Sequence, residues 1–158
     1  MASPMMGNGK PKGWEKRLEA FLLKRLKTPF KWFENDCCTF TCDGIKEITE
    51  IDPAVWFRSR PYKNGRQAYR RIKKFSGGGL PEMAEKITRQ LGYIEVDTPH
   101  FGDVVLMRAM DANTTAKKIS YSVTIGLVCY NGFVTAPGSE GLSFFKTEDV
   151  EILKTWRI

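Results

Sequence analysis

The feature that most constrains the fold is the separation of two kinds of apolar pattern along the chain. Before residue 92 the apolar residues recur at steps of three and four, which is the period of an α-helix. After residue 101 they form short runs rich in β-branched residues, which are typical of strands. Helices first and strands second favour the α+β class with an antiparallel sheet. We therefore predict a helical part (about 13–92) packed on a sheet (about 101–158).

Four helices are predicted in the first part. Proline ends two of them, because the residue before a proline is pushed out of the α region. The three glycines at 77–79 form a linker between the third and fourth helices, and Gly92 closes the fourth. The first predicted helix spans Trp14–Leu26. The second is capped by Asn35 or Asp36 and ends at Asp52-Pro53, and the third and fourth span Asn64–Phe75 and Leu80–Leu91.

Five strands are predicted in the second part. Asn131-Gly132 is the strongest signal for a two-residue hairpin turn, and Pro137-Gly138 is interpreted as a further turn. The predicted strands are Asp103–Met107, Val123–Tyr130, Phe133–Ala136, Leu142–Phe145 and Glu151–Ile158.

Residues 1–12 mix Pro, Gly, Asn and Lys and lack the apolar run of a secretory signal. We interpret them as a flexible N-terminal arm, and residues 13–158 as a single domain. No stretch approaches the roughly 20 apolar residues of a membrane span. The protein is therefore expected to stay in the cytosol where it is made, unless it leaves inside a larger particle.

The net charge of +7 comes from the first 90 residues, and it is densest in an acid-free run at 58–74. Such a run suits nucleic acid, a peptidoglycan surface or an acidic protein, and it is also the ordinary composition of a solvated helix face. Nucleic acid is the least favoured, because no binding motif is present and the aromatics are not interleaved with the basic residues. The candidate partner surface comprises Trp56, Arg58, Arg60, Arg66, Arg70 and Arg71.

Chemistry, if the chain has any, is expected at residues 35–42, Asn-Asp-Cys-Cys-Thr-Phe-Thr-Cys. Cys37 falls at the start of a helix, where free backbone N–H groups and the macrodipole stabilise a thiolate. A cysteine nucleophile also needs a base, normally a histidine. The sole histidine, His100, lies in a loop sequence and is an unlikely substitute for that base.

The cysteine cluster raises a second hypothesis, a metal site. Thiolates of Cys37, Cys38 and Cys42 could hold zinc or an iron–sulfur cluster. Paired Cys-x-x-Cys knuckles are absent, however, and adjacent cysteines on a helix point in different directions. Simple core packing is therefore the favoured interpretation, and no cofactor is predicted.

Three motifs in series resemble the NlpC-type cysteine peptidases. Asp36-Cys37 at a helix start is similar to the nucleophile motif of that family, and 102–106 (Gly-Asp-Val-Val-Leu) to its Gly-Asp strand. Residues 124–128 followed by Asn131-Gly132 resemble the strand that carries the catalytic histidine. The resemblance covers about residues 14–158 and implies a papain-like fold, with a helical lobe packed on an antiparallel sheet.

The chain is also similar to a narrower group of NlpC-like domains encoded among phage and prophage tail genes. The shared features are Asp-Cys-Cys-Thr-Phe at 36–40, Gly-Asp-Val-Val at 102–105 and the ending Trp-Arg-Ile. This resemblance implies a tail-tip component made in the host cytoplasm and carried in the virion, with other tail-tip or tail hub proteins as partners.

One departure from the peptidase pattern decides between functions. Thr124 stands where the active family has its histidine, and a threonine cannot accept a proton from a thiol near neutral pH. The favoured hypothesis is therefore a non-catalytic tail protein with Cys37 as a vestigial nucleophile. A cell-wall hydrolase that uses Cys37 with an unconventional base is the alternative, and a nucleic-acid-binding module is a third.

Overall fold

A computed structural model describes residues 9–110, 115–118 and 121–158. The first eight residues of the predicted arm therefore lie outside the described residues. Lys10 to Lys12 contact the first helix, where the Arg17 guanidinium donates to the Lys12 carbonyl. The helices are α1 (Trp14–Arg25), α2 (Cys37–Thr49), α3 (Val55–Arg58), α4 (Gly65–Ser76) and α5 (Leu80–Gln90). The strands are β1 (Ile94–Glu95), β2 (Val104–Met110), β3 (Tyr121–Val128), β4 (Phe133–Gly138), β5 (Gly141–Lys146) and β6 (Glu151–Arg157).

The described strands form one six-stranded sheet in the order β1-β6-β2-β3-β4-β5. Every neighbouring pair in this sheet is antiparallel. All five helices precede the sheet in the chain, so the predicted α+β class is confirmed. None of the described helices is long and apolar enough to cross a membrane.

Helix α2 packs against α1 and the sheet and is buried over most of its surface, except for the face that carries Asp43, Lys46 and Glu47. It passes close to β3 and α1 at Gly44, where a Cβ atom would lie 2.3 Å from a methyl carbon of Leu127 and 3.4 Å from the Phe21 ring. The absence of a side chain at Gly44 therefore lets α2 lie against the strand. This close approach fixes where the N-terminus of α2 meets the sheet.

The sheet carries buried side chains on both of its faces. Successive residues of a strand point to opposite faces, so one strand can contribute to both clusters. Val104 and Leu106 of β2 face the helices and join the main core, whereas Val105 and Met107 point to the opposite face. On that face they form a second cluster with residues of β3 and β4. The continuous apolar run in β2 is thus explained by burial on both sides.

The predicted hairpin at Asn131-Gly132 is confirmed, since β3 and β4 pair antiparallel, but its loop is longer than predicted. Tyr130–Gly132 is a 3-10 turn, and the Cys129 N–H donates to the Phe133 carbonyl, so three residues instead of two lie inside this hydrogen bond. Gly132 supplies the left-handed position that such a loop needs, at φ 76°. The turn predicted at Pro137-Gly138 was wrong, because these residues end β4. The turn lies two residues later, at 139–140, where Gly138 pairs with Gly141.

The helix boundaries are mostly as predicted, with one correction. Asp36 caps α2 and Asn64 caps α4 through their side chains. Helix α2 does not continue to Asp52-Pro53, because Glu50 adopts a left-handed conformation (φ 66°) and ends it after Thr49. The short elements α3 and β1 were not predicted.

Candidate functional site

Cys37 is the first residue of α2 and faces the middle of β3. Its thiol is close enough to the Thr124 hydroxyl and to the Ile125 backbone for both to lower its pKa. The packing of α2 against β3 at Gly44 fixes the position of Cys37 relative to this strand. The structure therefore brings Cys37 and Thr124 together, and the group opposite the thiol is a hydroxyl.

Asp36 fixes the N-terminus of α2 beneath Cys37. Its carboxylate is buried and accepts hydrogen bonds from the backbone N–H groups of Thr39 and Phe33, each at 2.9 Å, and from the Tyr62 hydroxyl. The Thr39 hydroxyl in turn accepts from the Asp36 N–H and completes a capping box. Tyr62 was not predicted as part of the site, because 26 residues separate it from Asp36 and only the tertiary fold joins them.

His100 lies at the other end of β3. It is an exposed residue in the loop before β2, and this loop is tied to β3 by a hydrogen bond between Gly102 N–H and the Val128 carbonyl. Val128 is four residues beyond Thr124, which corresponds to about 13 Å along a strand. The structure therefore does not bring His100 to the Cys37 thiol.

The thiols of Cys37 and Cys38 have opposite pKa shifts. The pKa of Cys37 is lowered, chiefly by a hydrogen bond with the Cys38 thiol and also by Thr124 and Ile125, against the opposing effects of burial and the Asp36 charge. The same Cys37–Cys38 hydrogen bond raises the pKa of Cys38 well above its usual value, and burial adds to this. Burial also raises the pKa of Cys42 and of Cys129. Cys37 is thus the cysteine that most readily becomes a thiolate.

We expect alkylation to distinguish these cysteines. Near pH 7, iodoacetamide should label Cys37 faster than the other three, with a midpoint below the unperturbed thiol pKa of about 8.5, as followed by tandem mass spectrometry. Cys38→Ala should move the Cys37 profile to higher pH, because it removes the largest influence that lowers the Cys37 pKa. Cys129→Ala is the matched control and should leave the profile unchanged. Labelling of Cys37 only after unfolding would contradict this expectation.

All four cysteines are free thiols. Among the described residues, no group of three or more His, Cys, Asp or Glu side chains is arranged to hold a metal ion. Cys38 and Cys42 are instead buried in the main core, where they pack as small apolar side chains.

The predicted partner surface divides into two parts. Trp56 stacks on Phe75 at 3.8 Å and donates its indole N–H to the Pro53 carbonyl, so it is held within the helical lobe. The Arg58 guanidinium bridges the carboxylates of Asp43 and Asp52, and it links α2 to α3. The remaining arginines (Arg60, Arg66, Arg70 and Arg71) lie on α4 and the loop before it, and all except the half-buried Arg71 are exposed.

A concave apolar surface lies between α1 and the β4–β5 hairpin. The cleft has a volume of about 310 Å³, and exposed apolar side chains form its edges, among them Leu23 (65% exposed) and Phe144 (47% exposed). No local sequence pattern predicts this cleft, because its two walls are more than a hundred residues apart in the chain. It is lined by Glu19, Leu22, Leu23, Leu26, Cys129, Tyr130, Phe133 and Phe144.

Comparison with known protein families places nearly the whole chain in one of them. Residues 10–158 match a family described as a domain of unknown function (DUF6950), and the chain belongs to that family. No curated protein and no solved structure matches the chain.

Proposed function

We propose that this DUF6950 protein is a non-catalytic relative of the NlpC-type cysteine peptidases and serves as a structural or assembly component of a long-tailed phage tail tip. The observation that carries the proposal is the hydroxyl of Thr124 at the Cys37 thiol, where a cysteine peptidase needs a proton acceptor. The tail assignment itself rests on the resemblance of the sequence motifs.

The packing of α2 on the sheet supports a papain-like arrangement. The cysteine begins a helix that lies against β3, the strand that resembles the histidine-bearing strand of the peptidases. The Gly-Asp motif immediately precedes β2, which pairs with β3 along its whole length. The three motifs of the resemblance therefore lie on adjoining elements, with Cys37 near Thr124 of β3 and Gly102-Asp103 at the Val128 end of the same strand.

The loss of catalysis follows from proton transfer. A thiol nucleophile gives its proton to a base and the leaving group takes it back, and a threonine hydroxyl can do neither near neutral pH. Loss of one member of such a catalytic unit lowers the rate by about four to six orders of magnitude. We therefore propose that the protein keeps the fold without catalytic activity and uses its surface to bind neighbouring proteins.

The apolar cleft beside α1 supports a role in assembly. Its exposed apolar edge is a surface that a neighbouring subunit would cover, since such patches mark interaction sites when they are contiguous. We propose that tail-tip or tail hub proteins contact it, and that the protein is made in the host cytoplasm and carried in the virion.

A cell-wall cysteine hydrolase is the second candidate, and the lowered pKa of Cys37 favours it. A preformed thiolate would reduce the need for a base in the first step, namely attack on the amide carbonyl. A proton donor for the leaving amine would still be required.

Peptidoglycan digestion separates the two candidates. We expect purified wild-type protein to release no more soluble fragments than Cys37→Ala, because the site has no base. The matched control, Cys129→Ala, alters a cysteine just after β3, away from Thr124. It should release as few soluble fragments as the wild type. Digestion by the wild type that is lost only in Cys37→Ala would contradict the proposal and establish the hydrolase.

The tail assignment needs a test of its own. The protein is expected to co-purify with phage particles at a fixed ratio to the other tail proteins, as measured by quantitative mass spectrometry. Particles that carry Cys37→Ala should infect as well as wild-type particles. Absence of the protein from the particles would refute the virion role, whatever the result of the digestion assay.

A further inference from the structure

Helix α4 has two chemically distinct faces. Ala68 and Ile72 are buried against the helical lobe, whereas the opposite side is exposed and carries only polar and basic residues plus one tyrosine. The helix and the loop before it contain no acidic residue. The exposed cations are Arg60, Lys63, Arg66, Arg70, Lys73 and Lys74. We call this set, together with Tyr69, the α4 face.

The cations of the α4 face make no ion pair within the described part of the chain. Other basic residues behave differently. Arg25 and Arg58 share Asp43, and Lys154 lies between Glu85 and Glu95. The positive charge of the α4 face is therefore not neutralised by neighbouring carboxylates and is available to an anionic partner.

Tyr69 lies among these cations. It is 50% exposed and is the helical neighbour of Arg66 at three residues and of Lys73 at four. The aromatics were interpreted as not interleaved with the basic residues, but α4 brings residues 66, 69 and 73 onto one side and corrects that interpretation. An exposed ring among cations is the arrangement with which proteins stack a base beside a phosphate.

We propose that the α4 face binds the sugar–phosphate backbone of nucleic acid without sequence specificity. Arg66, Arg70 and Lys74 recur once per helical turn and span about 12 Å, so they present a row of positive charge to a chain of phosphates. The proposal goes beyond the function proposed above and does not depend on it.

The composition of the α4 face favours nucleic acid over an acidic protein. The centre of a protein–protein interface is usually depleted in charged residues, lysine above all, and contains apolar anchors. The α4 face has lysines and arginines throughout, and Tyr69 is its only large apolar side chain among the described residues. Protein–DNA interfaces, by contrast, are strongly positive and polar.

Fluorescence anisotropy with a labelled 30-nucleotide single strand and a 30-base-pair duplex tests the proposal across 50–200 mM NaCl. The variant Arg66→Gln/Arg70→Gln/Lys74→Gln should weaken binding to both by about tenfold or more, and it should reduce the salt slope on duplex by about 3. The matched control Lys16→Gln/Lys24→Gln/Lys27→Gln removes three exposed cations around α1, and it should change the affinity less than twofold. Circular dichroism should show unchanged folding, because every substituted residue is exposed.

Tyr69→Ala separates stacking from charge. This variant should lower the affinity for the single strand about fivefold or more and leave the affinity for the duplex unchanged, since only unpaired bases can stack on the ring. Equal losses in the α4 and α1 triple variants would overturn the proposal, because the binding would then reflect net charge alone. Tighter binding of a polyglutamate peptide of equal charge would also overturn it and identify the face as a site for acidic protein.

Discussion

Replacing Asp103 by alanine is expected to lower the free energy of unfolding by about 2–4 kcal/mol, which is less than the cost of breaking a fully buried ion pair because the Arg157 side chain is 25% exposed. The Asp103 side chain is 1% exposed. It accepts hydrogen bonds from the Arg157 guanidinium at both oxygens, at 2.8 Å from Nη2 and 3.1 Å from Nε, and one from the His100 backbone N–H at 2.7 Å. Its removal leaves the Arg157 guanidinium without its carboxylate, and the His100 N–H without its acceptor.

Urea denaturation measures this loss, and an exposed ion pair supplies the control. Glu151→Ala breaks the contact with Arg108, in which both side chains are about half exposed, and it should cost less than about 1 kcal/mol. Asp103→Ala combined with Arg157→Met should cost less than the sum of the two single changes, because the second removes the unpaired charge. A cost for Asp103→Ala as small as that of Glu151→Ala would show that the pair does not stabilise the fold.

The Asp103–Arg157 pair gives two of the sequence motifs a structural explanation. Asp103 comes from the Gly-Asp motif at the start of β2, and Arg157 from the Trp-Arg-Ile ending in β6. Gly102 adopts φ 90°, and a Cβ there would lie 2.6 Å from the Trp14 ring, so no other residue fits without a shift. These motifs therefore hold the start of β2 against the end of β6, which are adjacent inner strands of the sheet.

Much of the fold was predictable from local signals. Local preferences determine three of the helix ends. The side chains of Asp36 and Asn64 cap the helices that they precede, and Gly92 readily adopts the left-handed conformation that follows a helix. The two-residue strand β1 has no such signal, because it exists only through pairing of Ile94 and Glu95 with β6. Glu50 ends α2 in a conformation that non-glycine residues seldom adopt, and so it escaped prediction.

The candidate site was predictable in part. A cysteine at a helix start is a local pattern, and the placement of Cys37 follows from it. The contact with Thr124 was expected only from the family resemblance, since 86 intervening residues carry no pattern that would pair them. The roles of Tyr62 and of the Asp43–Arg58 pair depend on tertiary packing alone. Sequence reasoning therefore identified Cys37 and the Asp36 cap, but not the Tyr62 hydroxyl that hydrogen-bonds to Asp36.

Replacing Asp36 by alanine is expected to destabilise the protein by about 3–5 kcal/mol. The loss of a helix cap costs about 0.5–2 kcal/mol. The two other donors, the Phe33 N–H and the Tyr62 hydroxyl, would be left in a buried site without their acceptor, at about 1–3 kcal/mol each. The neighbouring core side chains leave little room for water to replace the carboxylate, because Asp36 is 2% exposed.

Tyr62→Phe is the matched variant, because it removes one donor and keeps the edge-to-face contacts of the ring with Phe33 and Phe57. Alone it should cost about 1–1.5 kcal/mol, the net contribution of a single hydrogen bond. In the Asp36→Ala background it should cost nothing or restore stability, because it deletes the hydroxyl that has lost its acceptor. Additive losses in the double variant, measured by urea denaturation, would mean that water or another group satisfies Tyr62, and that the cap alone accounts for the effect of Asp36.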